Sequence, residues 1–262
     1  MNIDSLHIII LAAGYSRRLK KLTKNFPKSF LKINNKRIIE YSLDYLKVRG
    51  VRSVTVVVGY MSDLFIQNLG KNYKGIKINY ILAMDFATTG HGWSLFLTER
   101  IWSRKKRDVL FFHADIFFSP KILDKVIMSD YDNILSVDED YEILTKDEML
   151  VAGRNGIVES INKQLKSSLH IVGESISINR FSSEIMGKFY RYIERFCDKQ
   201  GKAYGWEFIL DHFIKDEAVK IHYIKCGSSW MNINFQQDYE LAKSKIFPIV
   251  EKEIPKEGNN IG

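Results

Sequence analysis

The chain has 262 residues, of which 45% are hydrophobic and 27% are charged, and its formal net charge is +8. These values are ordinary for a globular protein, and no apolar run approaches the about 18 residues that a membrane span requires. The two cysteines, Cys197 and Cys226, do not indicate a metal cluster or a disulfide framework, so we expect two reduced thiols. The N-terminus lacks the pattern of a signal peptide, and a cytoplasmic location is therefore predicted.

The positive net charge raises the question of whether the chain binds nucleic acid. Its basic residues are spread along the chain, and the one dense run, at 104–107, is interpreted as the end of a helix. Aromatic residues are not interleaved with a basic stripe as they are in an RNA-binding sheet. We therefore do not expect a nucleic-acid partner and favour a basic surface that attracts phosphorylated small molecules.

The first half of the chain alternates buried strands with amphipathic helices. Predicted strands are 7–11, 54–58, 76–82 and 109–113, and predicted helices are 38–48, 64–69 and 93–102. Continuous apolar strands that alternate with helices indicate an α/β protein with a parallel sheet covered on both faces.

After about residue 130 the pattern changes to shorter, more closely spaced strands. Predicted strands are 134–137, 149–152, 157–161, 171–178 and 219–224, and predicted helices are 181–196, 206–214 and 235–246. The pair Asn155-Gly156 predicts a hairpin turn. We expect one domain over 1–247, with a core over about 1–130, a second portion over about 131–230, a return to the core over 230–247, and a loose tail over 248–262.

Small and charged residues follow the predicted strands, where open α/β sheets bind ligands. Ala12-Ala13-Gly14 follows the first strand and permits a ligand close to the backbone, while Arg18 and Lys28 supply positive charge for a polyphosphate. These features predict a nucleoside triphosphate site. Asp115 follows the fourth strand, and it is either a Mg²⁺ ligand or the cap of a helix that begins near Pro120.

Two further segments are candidates for the same cleft. Gly90-His91-Gly92 precedes a predicted helix, and it is either a contact to a base or ribose or a plain helix-start loop. The segment 230–234 lies between the last strand and the last helix and would return polar oxygens to the cleft. Its alternative is a structural turn around a core tryptophan. A dinucleotide-binding dehydrogenase is excluded, because no GxGxxG motif is present.

The N-terminal motif resembles that of a known family. Leu11–Leu19 reads LAAGYSRRL and is followed by Leu22-Thr23 and Pro27-Lys28. This resembles the signature of the nucleotidyltransferases that activate small phosphates with a nucleoside triphosphate. The resemblance continues in order through Val58-Gly59-Tyr60, Gly90–Leu95, Ala114-Asp115, Asn162-Lys163, Gly173-Glu174 and Trp230–Asn234. It implies a Rossmann-like, mixed but mostly parallel sheet of the GT-A-like nucleotidyltransferase type, plus a small acceptor-binding insertion.

The chain departs from the family pattern at two positions. Ser16 replaces the usual second glycine, and Asn234 stands where most members carry a metal-binding aspartate. The chain is most similar to the phosphocholine, 2-aminoethylphosphonate and inositol-phosphate cytidylyltransferases. The resemblance therefore implies an enzyme that transfers CMP from CTP to the phosphate or phosphonate of a small non-sugar acceptor. The alternatives are a sugar-1-phosphate nucleotidylyltransferase that uses UTP or dTTP, and a catalytically weak regulatory homologue.

The resemblance also implies a role for each site residue. Arg18 and Lys28 would be catalytic, and Asp115 and Asn234 would hold Mg²⁺. Nucleotide-binding residues would be Leu11, Ala12, Ala13, Gly14, Gly59, Tyr60, Gly90, His91, Ser94 and Ala114. Acceptor-binding residues would be Lys163, Glu174, Trp206, Glu207 and Trp230. The expected partners are CTP and a small acceptor, and because the family includes monomers and dimers, a homodimer is among the expected states.

Overall fold

The computed structural model describes residues 3–15, 17–19, 22–141 and 147–254. Within these residues the strands are β1 (Leu6–Ala12), β2 (Lys32–Ile33), β3 (Lys36–Arg37), β4 (Ser53–Val58), β5 (Asn72–Tyr73), β6 (Ile76–Leu82), β7 (Asp108–His113), β8 (Ile116–Phe118), β9 (Ile134–Asp138), β10 (Leu150–Arg154), β11 (Ile157–Asn162), β12 (Ile171–Phe181), β13 (His222–Lys225) and β14 (Trp230–Asn232). The α-helices are α1 (Ile38–Val48), α2 (Ser62–Leu69), α3 (His91–Phe96), α4 (Glu99–Trp102), α5 (Pro120–Met128), α6 (Ser183–Gln200), α7 (Trp206–Glu217), α8 (Gln236–Leu241) and α9 (Phe247–Val250).

Ten strands form one mixed sheet in the order β10-β11-β13-β9-β12-β7-β1-β4-β6-β5. Its N-terminal half is parallel, because β1 lies between β4 and β7 and β4 also pairs with β6. The other half is mainly antiparallel: β12 pairs antiparallel with both β7 and β9. The expected mixed α/β architecture is present. Its parallel pairings are concentrated in the N-terminal half, rather than dominating the whole sheet.

Both faces of the sheet carry a hydrophobic core. Along β1, Ile8 and Ile10 enter one core while Ile9 and Leu11 enter the other, because successive side chains of a strand point to opposite faces. Helices α1, α2 and α5 pack on the first face, and α6 and α7 pack on the second. This two-sided burial explains the continuous apolar run of β1. Its carboxyl end is thereby held between two packed layers.

Two predicted helices are interrupted in the structure. The helix predicted over 93–102 is divided into α3 and α4, because the Thr98 hydroxyl donates to the Leu95 carbonyl oxygen at 2.6 Å and also contacts Tyr190. The helix predicted over 235–246 changes from α8 to a π-helical turn at Ala242–Ile246. Pro248 follows at the start of α9 and lacks the N–H that a regular helix would use.

The C-terminal segment differs from the predicted loose tail. Residues 248–254 are ordered: Val250 is fully buried, and Ile254 packs against the core next to α1 and α5. The carboxylate of Glu253 contacts Lys121 at 2.7 Å and also accepts from the Ser119 hydroxyl. The prediction is therefore wrong for 248–254, and 255–262 lie outside the described residues.

Two expectations from composition can be compared with the described part of the chain. None of its helices is long and apolar enough to cross a membrane. Cys197 and Cys226 are both buried and free of a disulfide.

Candidate active site

The carboxyl ends of β1 and β7 open into a cleft of about 660 Å³. Most of the residues predicted for the site line this cleft: Leu11, Ala12, Ala13, Gly14, Arg18, Lys28, Gly90, His91, Ser94, Ala114, Asp115, Lys163, Glu174, Glu207, Trp230 and Asn234. Gly59, Tyr60 and Trp206 are not among its lining residues. The local backbone structure and the packing of the core hold the lining residues around the cleft.

Lys28 lines the cleft, and its ammonium group contacts two side-chain oxygens. Its ammonium group forms an ion pair with Asp115 and lies 3.1 Å from the amide oxygen of Asn234. The short 3-10 helix at Lys28–Phe30 buries Ser29 and Phe30, which fixes the backbone from which Lys28 extends. Lys28 therefore projects from an anchored turn.

Strand pairing brings Asp115 and Asn234 together across 118 intervening residues. β8 follows Asp115 directly and pairs antiparallel with β14, which places Asn232 opposite Ile116. The Ile233 N–H donates to the Asp115 carbonyl oxygen at 3.1 Å. Trp230–Asn232 therefore forms a strand and not the structural turn given as the alternative, and Asn234 lines the cleft as expected.

The charge of Asp115 depends on its surroundings. Burial opposes ionisation, but the charge of the nearby Lys28 ammonium and its hydrogen bond outweigh burial and hold the pKa of Asp115 below its ordinary value. The alternative role as a helix cap is wrong, because Ser119 caps α5 by accepting from the Lys121 N–H at 3.1 Å. Asp115 is thus an ionised carboxylate that faces the cleft.

Asp115 and Asn234 fit the requirements of a hard divalent cation. Their carboxylate and amide oxygens converge on one cationic atom, the Nζ of Lys28. Two protein oxygens that face one cation position form the kind of partial ligand set that Mg²⁺ uses together with phosphate and water. The replacement of aspartate by asparagine at 234 lowers the negative charge of this pair but preserves an oxygen donor.

Arg18 and Lys163 share an acidic partner that the sequence analysis missed. Asp147 forms an ion pair with Arg18 and lies 2.8 Å from Lys163. The hydrogen bond from Lys163, with the charge of Arg18, outweighs burial and lowers the pKa of Asp147. The Arg18 guanidinium also donates to Asn234 at 3.3 Å and stacks on the Phe235 ring at 4.9 Å. Asp147 therefore links the two cations that the sequence assigned to different substrates.

A second polar cluster lies beside the cleft around His91, His113 and Glu207, whose ligand atoms lie within 4.8 Å of one another. The nitrogens that face Glu207 are already in use as hydrogen-bond acceptors. Nε2 of His113 accepts from the Trp206 indole at 2.8 Å, and Nδ1 of His91 accepts from the Trp206 backbone N–H at 3.2 Å. Burial, with the neighbouring His91, lowers the pKa of His113 to about 4, which keeps it neutral. We therefore interpret this cluster as a hydrogen-bonded wall and not as a metal site.

Trp206 does not contact the acceptor side of the cleft. Its side chain is fully buried and packs edge-to-face on Phe111, with ring centroids 5.1 Å apart. The structure therefore does not bring Trp206 together with the other residues predicted for the acceptor, which line the cleft. The sequence did not distinguish a core tryptophan from a binding one, because both follow the same amphipathic helical pattern.

The glycines of Gly90-His91-Gly92 permit a close approach, but by another part of the protein. A Cβ at Gly90 would lie 2.2 Å from the Tyr204 carbonyl oxygen, and the Gly90 N–H donates to the Lys202 carbonyl oxygen at 2.7 Å. The backbone of 202–205 therefore occupies the space beside Gly90 in which a base or ribose was expected. His91 and Ser94 still line the cleft.

We expect a Gly90→Ala variant to lose stability, because the added methyl group meets a backbone oxygen that has little freedom to move. Overpacking of this kind costs about 1–3 kcal/mol. Gly14→Ala is the matched control, because nothing lies within 4 Å of a Cβ there and its φ is not positive. Thermal unfolding of both variants tests this, and equal transition temperatures would contradict the steric argument.

Gly59 and Tyr60 support the cleft from behind. A Cβ at Gly59 would lie 2.6 Å from the Phe86 Cβ and 2.9 Å from the Ala13 carbonyl oxygen. The Tyr60 N–H donates to that same carbonyl oxygen at 3.3 Å. Gly59 and Tyr60 pack against Ala13 and Phe86, which line the cleft, and their contact with the nucleotide stays a prediction.

Several of the residues that line the cleft are acidic. Glu174 on β12 pairs in register with Asp138 on β9. Burial, together with the carboxylates of Glu148, Asp138 and Asp238, raises the pKa of Glu174 to about 8. The Trp230 indole donates to Asp138 at 2.9 Å, so this tryptophan is anchored to one of the acidic residues. A carboxyl group whose pKa is raised to about 8 therefore lines the same cleft as the cations.

The sequence is similar to a known family and to several characterised proteins. The sequence model of the family described as "Nucleotidyl transferase" matches residues 7–136. A CTP:phosphoglutamine cytidylyltransferase from Campylobacter jejuni is 25% identical over 266 residues, which cover 92% of this chain and 100% of the relative. A choline-phosphate cytidylyltransferase from Streptococcus pneumoniae is 25% identical over 88% of this chain and 94% of its own length.

A solved structure supports the fold independently. The inositol-1-phosphate CTP transferase from T. maritima superposes with a TM-score of 0.79 at 20% sequence identity, and the match covers 96% of each chain. Sugar-phosphate enzymes also match, among them a heptose 1-phosphate guanylyltransferase.

Proposed function

We propose that this chain, whose residues 7–136 match the nucleotidyl transferase family, is a CTP-dependent cytidylyltransferase for a small non-sugar phosphate or phosphonate. The observation that carries this proposal is the convergence of Lys28, Asp115 and Asn234 at the carboxyl ends of β1 and β7, with Arg18 beside them. The cytidylyltransferases among its relatives support the choice of CTP.

The proposed reaction needs no general base. An oxygen of the acceptor phosphate or phosphonate, already ionised at neutral pH, attacks the α-phosphorus of CTP. The new bond joins this oxygen to the α-phosphorus, the bond from the α-phosphorus to the bridging oxygen breaks, and that oxygen leaves with pyrophosphate. The main obstacles are the repulsion between two anions and their alignment, so catalysis rests on positioning and on fixed positive charge.

The cations of the cleft are arranged for this task. Arg18 binds the β- and γ-phosphates, assisted by the backbone near Gly14. Lys28 lies between Asp115 and Asn234 and binds the α-phosphate, where negative charge grows during transfer. Lys163 holds the acceptor phosphate. Asp147 accepts hydrogen bonds from both Arg18 and Lys163. When the substrates bind, their phosphate oxygens replace the Asp147 carboxylate as the partners of these two cations.

Asp115 and Asn234 are the residues that would hold Mg²⁺. When bound, this cation supplies Lewis-acid stabilisation of charge on the α-phosphate. The ionised state of Asp115, maintained by its cationic surroundings, suits that role.

The acidic lining of the cleft suits an acceptor with a cationic group. Glu174, Trp230 and Glu207 line the cleft. A carboxylate beside an aromatic ring is a favourable environment for an ammonium or trimethylammonium group. We therefore favour an aminated acceptor such as phosphocholine or 2-aminoethylphosphonate.

The raised pKa of Glu174 predicts a specific pH dependence. Below its pKa of about 8 the carboxyl group is mostly neutral, and above it the group is an anion that attracts a fixed cation. We expect the KM for phosphocholine to fall roughly 5- to 10-fold between pH 7 and pH 9, in step with the ionised fraction. Glu174→Gln should flatten this profile, and inositol 1-phosphate, which has no cation, should not follow it. A profile that is unchanged in Glu174→Gln would contradict the assignment.

The direct test of the function measures pyrophosphate release. CTP, UTP, dTTP, ATP and GTP are each combined with phosphocholine, phosphoethanolamine, 2-aminoethylphosphonate, inositol 1-phosphate, glycerol 3-phosphate and glucose 1-phosphate, with and without Mg²⁺. The proposal requires release with CTP and a non-sugar acceptor. Release only with a sugar phosphate and another nucleotide would establish the second candidate, a sugar-1-phosphate nucleotidylyltransferase, which the guanylyltransferase relative favours. Nucleotide binding without any turnover would indicate a regulatory homologue.

A further inference from the structure

One carboxylate contacts both of the cations that the proposed function assigns to different substrates. Asp147 forms an ion pair with Arg18 and lies 2.8 Å from the Nζ of Lys163. The hydrogen bond from Lys163 and the charge of Arg18 keep the pKa of Asp147 below its ordinary value, so the group is an anion at neutral pH. The donors proposed for the triphosphate and for the acceptor phosphate are therefore held by a single side chain.

Both cations have supports that do not depend on Asp147. The Arg18 guanidinium donates to the Asn234 amide oxygen at 3.3 Å and lies 4.9 Å from the centre of the Phe235 ring. Lys163 directly follows β11, a strand of the main sheet. Asp147 lies outside the helices and strands, and its side chain leaves a contact by rotation about two torsions. We therefore expect the carboxylate to move away while the two cations keep their places.

A phosphate on either cation would displace the carboxylate from both. Oδ2 of Asp147 accepts from Arg18 and Oδ1 accepts from Lys163, so an anion bound to one cation lies beside the same carboxylate and repels it. The substrate that binds first must therefore break both contacts, and the second substrate binds to a cation that is already released. Because only the first substrate bears the free-energy cost of displacement, each substrate favours the binding of the other.

We propose that Asp147 is a positioning residue that couples the binding of the nucleotide to the binding of the acceptor. This inference rests on the proposed function, because it assumes that Arg18 binds the triphosphate and Lys163 binds the acceptor phosphate. The loss of two partly exposed ion pairs corresponds to roughly a 2- to 30-fold change in Kd. The coupling opposes the direct repulsion between the two substrates and favours the complex that holds both, which is the complex in which transfer occurs.

The test measures the affinity for one ligand in the absence and in the presence of the other. Isothermal titration calorimetry with Mg²⁺ gives the Kd of α,β-methylene-CTP, in which a methylene group replaces the bridging oxygen of the bond that breaks, so that no transfer occurs. The coupling factor is this Kd without phosphocholine divided by the Kd at saturating phosphocholine. It is measured for the wild type, Asp147→Asn and Asp140→Asn. Asp140 is the matched control, because it also lines the cleft but, within the described residues, forms no ion pair with Arg18 or Lys163.

We expect the coupling factor of Asp147→Asn to be roughly 2- to 30-fold lower than that of the wild type, because the analogue alone binds more tightly to the variant. Asp140→Asn should keep the wild-type factor. Equal factors in the wild type and Asp147→Asn overturn the coupling and leave the proposed function intact, because a carboxylate that acts only through its charge changes both Kd values alike. Weaker binding of the analogue to Asp147→Asn also overturns the coupling, since Asp147 would then only hold Arg18 in place. A wild type that binds neither the analogue nor phosphocholine overturns both proposals.

Discussion

Replacing Lys28 with methionine should lower kcat by about 100-fold or more, the scale expected when one preorganised electrostatic donor is removed from a transition state. Methionine keeps an unbranched stem of similar length but removes the charge that lies between Asp115 and Asn234. Because the ammonium acts most strongly where charge develops on the α-phosphate, kcat should fall more than the affinity for CTP. Steady-state pyrophosphate release, together with a separate CTP binding measurement, resolves the two effects.

Lys188→Met controls for the change in net charge. Lys188 pairs with Glu184 on the surface of α6, and its loss removes one positive charge away from the cleft. Loss of Lys28 also leaves Asp115, a buried carboxylate, without its ion-pair partner, so thermal unfolding must accompany the kinetics. A Lys28→Met protein that is folded and retains wild-type kcat would contradict the role proposed for this lysine.

Replacing Asp115 with asparagine should also reduce kcat by about 100-fold or more and should raise the Mg²⁺ concentration needed for half-maximal rate. The substitution preserves shape but removes the ionised oxygen that Lys28 and a divalent cation would share. The measurement is a Mg²⁺ titration of pyrophosphate release at saturating CTP and acceptor. The result follows from the charge of Asp115, which its cationic surroundings maintain at neutral pH.

Asp124→Asn is the control for Asp115→Asn. Asp124 lies on α5, forms an ion pair with Arg49 and does not line the cleft. If Asp115→Asn keeps both the wild-type rate and the wild-type Mg²⁺ requirement, Asp115 serves only the packing of Lys28. In that case the ligand set proposed for the cation would have to be abandoned.

The parts of the fold that local pattern determines were predictable. The run Ile8–Leu11 enters a core on each side of the sheet, so its continuous apolarity indicates a doubly covered strand. The Asn155-Gly156 turn joins β10 and β11 with both residues at positive φ, as the hairpin prediction requires. In such places sequence and tertiary structure impose the same requirement.

Elements that depend on distant partners were not predictable. β14 is a strand only because it pairs with β8, more than 100 residues earlier in the chain. The division of the helix at Thr98 depends on a hydroxyl contact with Tyr190, which belongs to α6. The order of residues 248–254 depends on burial of Val250 and on contacts of Glu253 with Lys121 and Ser119. No local pattern contains these partners.

The candidate site divides in the same way. Lys28, Asp115 and Asn234 were expected in one site, because the resemblance to the nucleotidyltransferases implies it, and the structure brings them into contact. The burial of Trp206 was not predictable, because it depends on packing against Phe111 of another element. Asp147 was missed, because an acidic residue in a polar loop carries no signal until its contacts with Arg18 and Lys163 are known.

The central claim is transfer of a nucleotidyl group to an acceptor oxygen, and an isotope experiment tests it most directly. Phosphocholine labelled with ¹⁸O on its phosphate is incubated with CTP, Mg²⁺ and the enzyme, and the products are followed by ³¹P NMR. The account predicts CDP-choline with ¹⁸O in the oxygen that bridges its two phosphorus atoms, unlabelled pyrophosphate, and formation of both products about 100-fold or more slower with Lys28→Met. Conversion of CTP to CMP or CDP at a rate independent of the labelled acceptor, with no labelled CDP-choline, would contradict it.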